Sequence, residues 1–379
     1  MVKDIPHLNG LRAFAALWVV TAHCMIWGGW TLTSIPDPKI AVDLFMLISG
    51  FLMAMNAAQR EQIEPMGSAR SWLAFYARRF FRLAPSYYLS MIVAVCTAPV
   101  FLQGYKALQL VNIGFWGTGG GPYDPDLIQY TTSNLLAHVT LMFGISPRFT
   151  NSMMLPDWSL SLEMQYYLAF PFIFITFRKF GPVKTAIALS VLALPLAILA
   201  RDIFVEPSFL PLKISLFAAG MMLAQLRFYR ISMIKSAIIV ALTVILTSMQ
   251  FNAYSDGSRL ILFVISSLFA LLTLPAFSQI PMFRYLNAIL SSRAAHFLSD
   301  ASYGIYLFHG FFIAFSGYLF FTGDGNWVSG NERTAILFAI TMPSSIITSY
   351  LIQNTVEKYG ISVGRKIAIS IDGKMLTQR

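Results

Sequence analysis

Apolar residues fill this chain in long blocks that polar residues interrupt at a few places. Ten blocks read as membrane-spanning helices, near Leu8–Trp27, Ile40–Ala58, Pro85–Gln103, Trp158–Phe177, Thr185–Ala200, Phe209–Leu226, Ser236–Phe251, Leu260–Pro275, Ala301–Phe321 and Thr334–Gln353. A helix needs about 20 apolar residues to cross the hydrocarbon core. Within the polar loop Gly104–Asp157, the apolar run Asn134–Ile145 is too short to span and is predicted to be re-entrant or interfacial. Gly119–Gly121 in the same loop reads as a turn, since no Lys-Ser/Thr follows to make a phosphate cradle. The pattern predicts an all-α integral membrane fold, a bundle of about ten transmembrane helices over residues 1–355, followed by a basic cytoplasmic tail over 356–379.

Composition agrees with the pattern. The chain has 379 residues, of which 56% are hydrophobic and 12% charged, with mean hydropathy +0.64. That charge content is about half the roughly 25% of a soluble domain. Net charge is +10, which the excess of Lys and Arg in cytoplasmic loops explains. With the N-terminus inside, twenty of the 27 Lys and Arg fall on the cytoplasmic side, so both termini are expected there. No basic and aromatic interleaving suggests a nucleic-acid partner. The two cysteines, Cys24 and Cys96, have no metal-ligand spacing, and no metal site or disulfide framework is expected.

Candidate chemistry begins in the first block, LNGLRAFAALWVVTAHCMIW, which carries Arg12 and His23. A charged side chain at the bilayer centre costs about 2.5–3.5 kcal/mol on insertion scales, so such a residue is functional by default. The two are 11 residues apart, about three turns, and therefore share one helix face about 16 Å apart along the axis. A cation near one surface and a deep imidazole on the same stripe suit a long anionic ligand with a reactive end. Asp43 and Glu163 lie at a depth similar to that of His23, and a carboxylate can orient a general-base histidine. The alternative is a packing network of intramembrane polar groups. Arg78, Arg79 and Arg82 precede the third block; they suit phosphate through bidentate hydrogen bonding, or serve as interfacial anchors. Positions 78 and 82 would share a face if helical. Ser302 and Tyr303 open the ninth block near the cytoplasmic face, and His309 further along reads as a hydrogen-bonded structural histidine. His7, His138 and His296 read as interfacial or loop residues.

Five segments in this order, IPHLNGLRAFAALWVVTAHC, AVDLFMLISGFLMA, ARRFFRLAPSYYL, DWSLSLEMQYYLAFPF and SYGIYLFHG, resemble the membrane-bound acyltransferase family 3, bacterial enzymes that acylate surface glycans. The resemblance covers nearly the whole chain. It implies that His23 is catalytic, with Glu163 and Asp43 at the family's acidic positions. It also implies that Arg12 contacts an acyl-CoA donor, expected to be acetyl-CoA, with Arg78, Arg79, Arg82, Ser302 and Tyr303 on the donor side. The implied acceptor is a hydroxyl of an extracytoplasmic glycan or lipid-linked oligosaccharide, the location a bacterial cytoplasmic membrane, and the partners membrane lipids and polysaccharide-assembly proteins. The chain departs from the usual pattern at Asn9, Ala13, Met46, Met164 and Gly310. Some relatives carry a C-terminal SGNH domain; a stand-alone membrane domain is expected here. Ten spans and buried charges also permit a glycan or acyl-lipid transporter or flippase, but no internal repeat favours one. A third reading is a structural subunit of a polysaccharide assembly.

Overall fold

The structure is a computed structural model describing residues 5–35, 37–117, 123–228, 231–248, 250, 256–323 and 327–372. Gly119–Gly121 lie outside the described residues. Among the described residues every regular element is helical. The α-helices are α1 (Pro6–Gly28), α2 (Pro38–Arg60), α3 (Ala69–Cys96), α4 (Ala98–Leu110), α5 (Ile113–Trp116), α6 (Thr132–Val139), α7 (Trp158–Phe180), α8 (Pro182–Ala200), α9 (Ile214–Phe228), α10 (Met233–Ser248), α11 (Asp256–Thr273), α12 (Pro281–Leu290), α13 (Arg293–Phe321), α14 (Gly330–Ile352) and α15 (Lys358–Asp372).

Six helical stretches are long and apolar enough to cross a membrane, and a seventh if the bent pair α3–α4 counts as one span. Three shorter apolar helices, α9, α10 and α11, coincide with further blocks of the sequence pattern. The protein is thus a multi-pass helical membrane protein.

Three elements differ from the pattern-based expectation. The third block does not form one straight span. Helix α3 begins at Ala69, runs through the arginines and breaks at Thr97, after which α4 leaves at 81°. Pro99 explains the break, because its ring would clash with the carbonyl four residues back and it has no N–H to donate. The ninth block starts earlier than expected, since Ser292 caps α13 by accepting from the Ala295 N–H at 3.2 Å. Ser302 and Tyr303 therefore sit well inside the helix. The segment after α14 continues through a π-turn at Gln353–Glu357 into α15, which packs on α3. Gly360 makes that contact possible: a Cβ there would meet the Phe81 carbonyl oxygen at 2.6 Å.

Helix α1 lies in the middle of the bundle against α2, α13 and α14. Helix α2 in turn packs on α9, where Gly50 and Gly220 let the two backbones approach until any Cβ would overlap the Phe217 or Leu47 carbonyl. Without a hydrophobic drive between helices in lipid, such close backbone packing is a main source of association. The start of α14 is tied to the end of α1 by Arg333, whose Nε donates to the Gly28 carbonyl at 2.7 Å. This satisfies one of the carbonyls left open where α1 ends.

Candidate active site

Helices α1 and α13 run parallel and are joined by several side-chain hydrogen bonds, among them Asn9 to His296 at 3.0 Å. Arg12 donates from its terminal nitrogen to Ser302 Oγ at 3.3 Å, and His23 Nδ1 lies 2.8 Å from His309 Nε2. Arg12 and His23 thus face the same neighbouring helix, and each lines a cavity. The two cavities lie on either side of Tyr306, which lines both.

The inner cavity encloses about 920 Å³ and is lined by Arg12, Arg79, Arg82, Glu163, Ser302 and Tyr303, among others. Three guanidinium groups face one carboxylate. Ser302 donates its hydroxyl hydrogen bond to the Ser299 carbonyl at 2.6 Å, leaving its oxygen free to accept from Arg12. Tyr303 donates to the Leu83 carbonyl at 2.8 Å and so fixes α13 to α3. Arg79 lies over the rings of Phe75 and Tyr167, at 5.6 and 5.4 Å from their centres. Glu163 accepts from Ser49 at 3.2 Å and from Tyr167.

The outer cavity encloses about 1120 Å³ and contains His23 and His309 together with Trp27, Trp116, Lys39 and Glu206. The protons on the two imidazoles follow from their partners. His309 Nδ1 lies 2.7 Å from the Tyr306 carbonyl and 3.2 Å from that of Ile305, both acceptors, so this nitrogen carries the hydrogen. In the neutral ring His309 Nε2 is then an acceptor, and His23 Nδ1 donates to it. His23 Nε2 is left with its lone pair and has no hydrogen-bond partner among the described residues. A lining histidine in that tautomer can take a proton. Tyr306 is itself held by Ser159, whose Oγ donates to its phenol oxygen at 2.9 Å.

Several sequence candidates fall elsewhere. Arg78 faces Glu64 rather than the inner cavity, with donor distances of 2.8 and 2.5 Å, and Arg60 joins the same carboxylate at 2.9 and 3.0 Å. It is Arg79 and Arg82, three residues apart, that share the cavity face. Asp43 is fully buried against Lys213, 2.7 Å away, between α2 and α9. Asp43 pairs with Lys213 and Glu163 accepts from Ser49 and Tyr167, whereas the His23 ring is positioned by His309. His138, expected at an interface, is fully buried. It stacks on Phe143, with ring centres 4.1 Å apart, and lies 3.7 Å from Asp157, which also accepts from Tyr87 at 2.8 Å. Burial pushes the Asp157 carboxyl up to about 7, against the opposing hydrogen bond from Tyr87.

His309, read from the sequence as a structural histidine, and Tyr306, which sequence reasoning missed, both line the outer cavity. Ser302, Tyr306 and His309 stand at i, i+4 and i+7 and trace one face of α13, the periodicity that was available to find them. Among the described residues no group of three or more His, Cys, Asp or Glu is placed to hold a metal ion.

The fold and its two cavities define a polytopic helical membrane protein with a cationic chamber and a histidine chamber meeting at one tyrosine. The family profile described as "Acyltransferase domain" matches residues 5–353, and the chain belongs to this family, acyltransferase family 3. It is 29% identical to "Acyltransferase MdmB" of Streptomyces mycarofaciens over 47% of this chain and 41% of that protein. It is 27% identical to "Peptidoglycan O-acetyltransferase OatA" of Listeria monocytogenes over 47% of this chain and 25% of that protein. It is 26% identical to "O-acetyltransferase OatA" of Staphylococcus aureus over 53% and 30%, respectively. The matched region thus spans less than half the length of each of these relatives. No solved structure matches the chain.

Proposed function

We propose that the protein transfers an acyl group, acetyl by family frequency, from cytoplasmic acyl-CoA to a hydroxyl of an extracytoplasmic glycan at the bacterial cytoplasmic membrane. The observation that carries this reading is the pair of cavities meeting at Tyr306, three arginines in one and the His23–His309 pair in the other. The inner cavity suits a polyanion: Arg12, Arg79 and Arg82 outnumber Glu163, and guanidinium groups bind phosphate through paired hydrogen bonds. The thioester end of the donor would reach past Tyr306 toward His23.

In this reading His23 Nε2 removes the proton from the acceptor hydroxyl as its oxygen attacks the thioester carbonyl carbon. The tetrahedral intermediate collapses with breakage of the C–S bond, and the proton on Nε2 passes to the departing thiolate. His309 holds the His23 ring in the required tautomer and accepts its Nδ1 hydrogen throughout, the role of an orienting partner to a general base. Glu163 and Ser302 act on the donor side by holding the guanidinium groups in place. Tyr303 serves there too, through its tie to α3.

The test is the O-acyl content of surface glycan, by mass spectrometry, in cells carrying His23→Ala or Arg12→Ala at matched protein level. Loss of acyl groups with an unchanged amount of glycan supports the reading. A fall in the amount of surface glycan points to transport instead. Acyl groups unchanged in both variants refute it.

A further inference from the structure

The two cavities carry opposite charge. Apart from the imidazoles, the charged residues lining the outer cavity are Asp37, Lys39 and Glu206, among the described residues. Lys39 is already engaged: its Nζ lies 3.3 Å from Glu206 Oε2. Tyr123 donates to the other oxygen of Glu206 at 2.5 Å. Asp37 caps α2 by accepting from the Lys39 backbone N–H at 2.8 Å. With both histidines neutral, the outer cavity holds one more carboxylate than it has cations, whereas the inner one holds two more cations than carboxylates.

The same cavity has an aromatic wall. Trp27 stacks on Trp116, with ring centres 4.3 Å apart, and meets the tilted ring of Tyr105 at 4.4 Å. The Trp116 indole N–H is buried and lacks a hydrogen-bond partner among the described residues. Aromatic surface and carboxylate acceptors match a pyranose, whose C–H face packs on rings and whose hydroxyls donate to carboxylates.

We infer that the outer cavity takes an uncharged sugar as acceptor and rejects sugars bearing carboxylate or phosphate; this rests on the acyl-transfer reading above. An anionic sugar would meet the cavity's net negative charge. It could gain Lys39 only by stripping it from Glu206, which would leave that buried carboxylate uncompensated. The opposite signs also sort the reactants, sending the polyanionic donor inward and leaving the outer cavity to the neutral acceptor.

The probes are methyl β-glucoside, methyl β-glucuronide and methyl β-glucuronamide, offered with acetyl-CoA to the purified protein in nanodiscs. The last two both lack the primary hydroxyl and differ in charge, so their comparison isolates it. Binding is read by saturation-transfer NMR and acetyl transfer by mass spectrometry. The amide is expected to bind more tightly than the glucuronide by about tenfold or more, as like-charge contact demands. Glu206→Gln should narrow that preference and Lys39→Gln should widen it, so a folding defect shared by both variants cannot mimic the result. Equal binding of amide and glucuronide, binding of none of the three, or variants that leave the preference unmoved would overturn the inference. Should the binding order hold with no acetyl reaching any sugar, the inference stands and the acyl-transfer reading falls. Acetyl transfer without preference gives the converse.

Discussion

His23 Nδ1 and His309 Nε2 lie 2.8 Å apart, and the two rings are within 14° of parallel. The contact spans 286 residues of sequence and joins the first long helix to the ninth expected span. It sets which nitrogen of each ring bears hydrogen, because the chain of donors ends on the Tyr306 and Ile305 carbonyls, which can only accept. Which nitrogen of His23 keeps its lone pair is therefore specified by the backbone of α13.

Replacing His309 should lower turnover without weakening donor binding. His309→Ala removes the acceptor for His23 Nδ1, so the ring loses its tautomer and its orientation. A fall in kcat of about 10–100-fold is expected, below the 10²–10⁴-fold that a general base itself contributes. The KM for acyl-CoA should stay within about twofold, because the inner cavity is untouched. His309→Gln, whose side-chain oxygen can still accept, should recover part of kcat. Steady-state kinetics of the purified protein, with acetyl-CoA and glycan varied in turn, checks each point.

The arginines should separate into two classes. Arg12→Gln, Arg79→Gln and Arg82→Gln each remove a cation from the inner cavity and should raise the KM for acyl-CoA, by about 10-fold per lost charge-assisted contact. Arg78→Gln removes a partner of buried Glu64 instead and should lower thermal stability while leaving that KM unchanged. Donor titration beside thermal unfolding of the same four variants discriminates the classes. A donor KM defect in Arg78→Gln as large as that in Arg82→Gln would contradict the assignment.

The sequence made α1 legible because its two polar residues obey helical periodicity within one element, and Arg12 and His23 do face one neighbouring helix. Much of the helical pattern was legible for the same reason, since long apolar blocks require no knowledge of partners. What escaped depends on contacts between distant segments. Helical spacing cannot rank Arg78 against Arg79, because the choice is made by Glu64 in the preceding loop. Depth along a span placed Glu163 beside His23, yet Tyr306 and its partner Ser159 divide the two cavities at that level. Nothing in the local sequence around Lys213 announces a buried charge; its burial becomes intelligible only once Asp43 is found 2.7 Å away. Helix α15 was hidden because glycine-mediated packing on α3 leaves no long apolar run.

The Asp43–Lys213 pair should be costly to break and cheap to replace. Both side chains are fully buried between α2 and α9. Removing one partner, as in Asp43→Leu or Lys213→Met, takes the ion-pair partner from the other buried charge and should destabilise by about 3–5 kcal/mol. The double variant Asp43→Leu/Lys213→Met should recover most of that loss, because a well-packed apolar pair of similar volume is often neutral or better. Thermal unfolding in one detergent gives the cycle. A double variant no more stable than the worse single variant would mean that the pair does more than neutralise itself.

Glu64 predicts an acid-dependent loss of stability in the loop after α2. Burial would by itself raise this carboxyl, but the hydrogen bonds from Arg60 and the charge of Arg78 outweigh it and hold it below the ordinary glutamate value of 4.5. A carboxyl depressed in the folded state contributes stability that is present above its unfolded pKa and is lost as pH falls through the folded one. The contribution should therefore be intact at pH 6–7, about two units above the unfolded pKa, and fade only below about 4.5, where the native carboxylate must take up a proton. Glu64→Gln abolishes the titration. The variant should unfold at a lower temperature than the parent at neutral pH, and the gap should close on acidification. Thermal unfolding followed from pH 7 to about 4 reads both effects. A gap that stays constant over that range would show that the carboxylate charge contributes nothing and that hydrogen bonding alone joins the loop after α2 to α3.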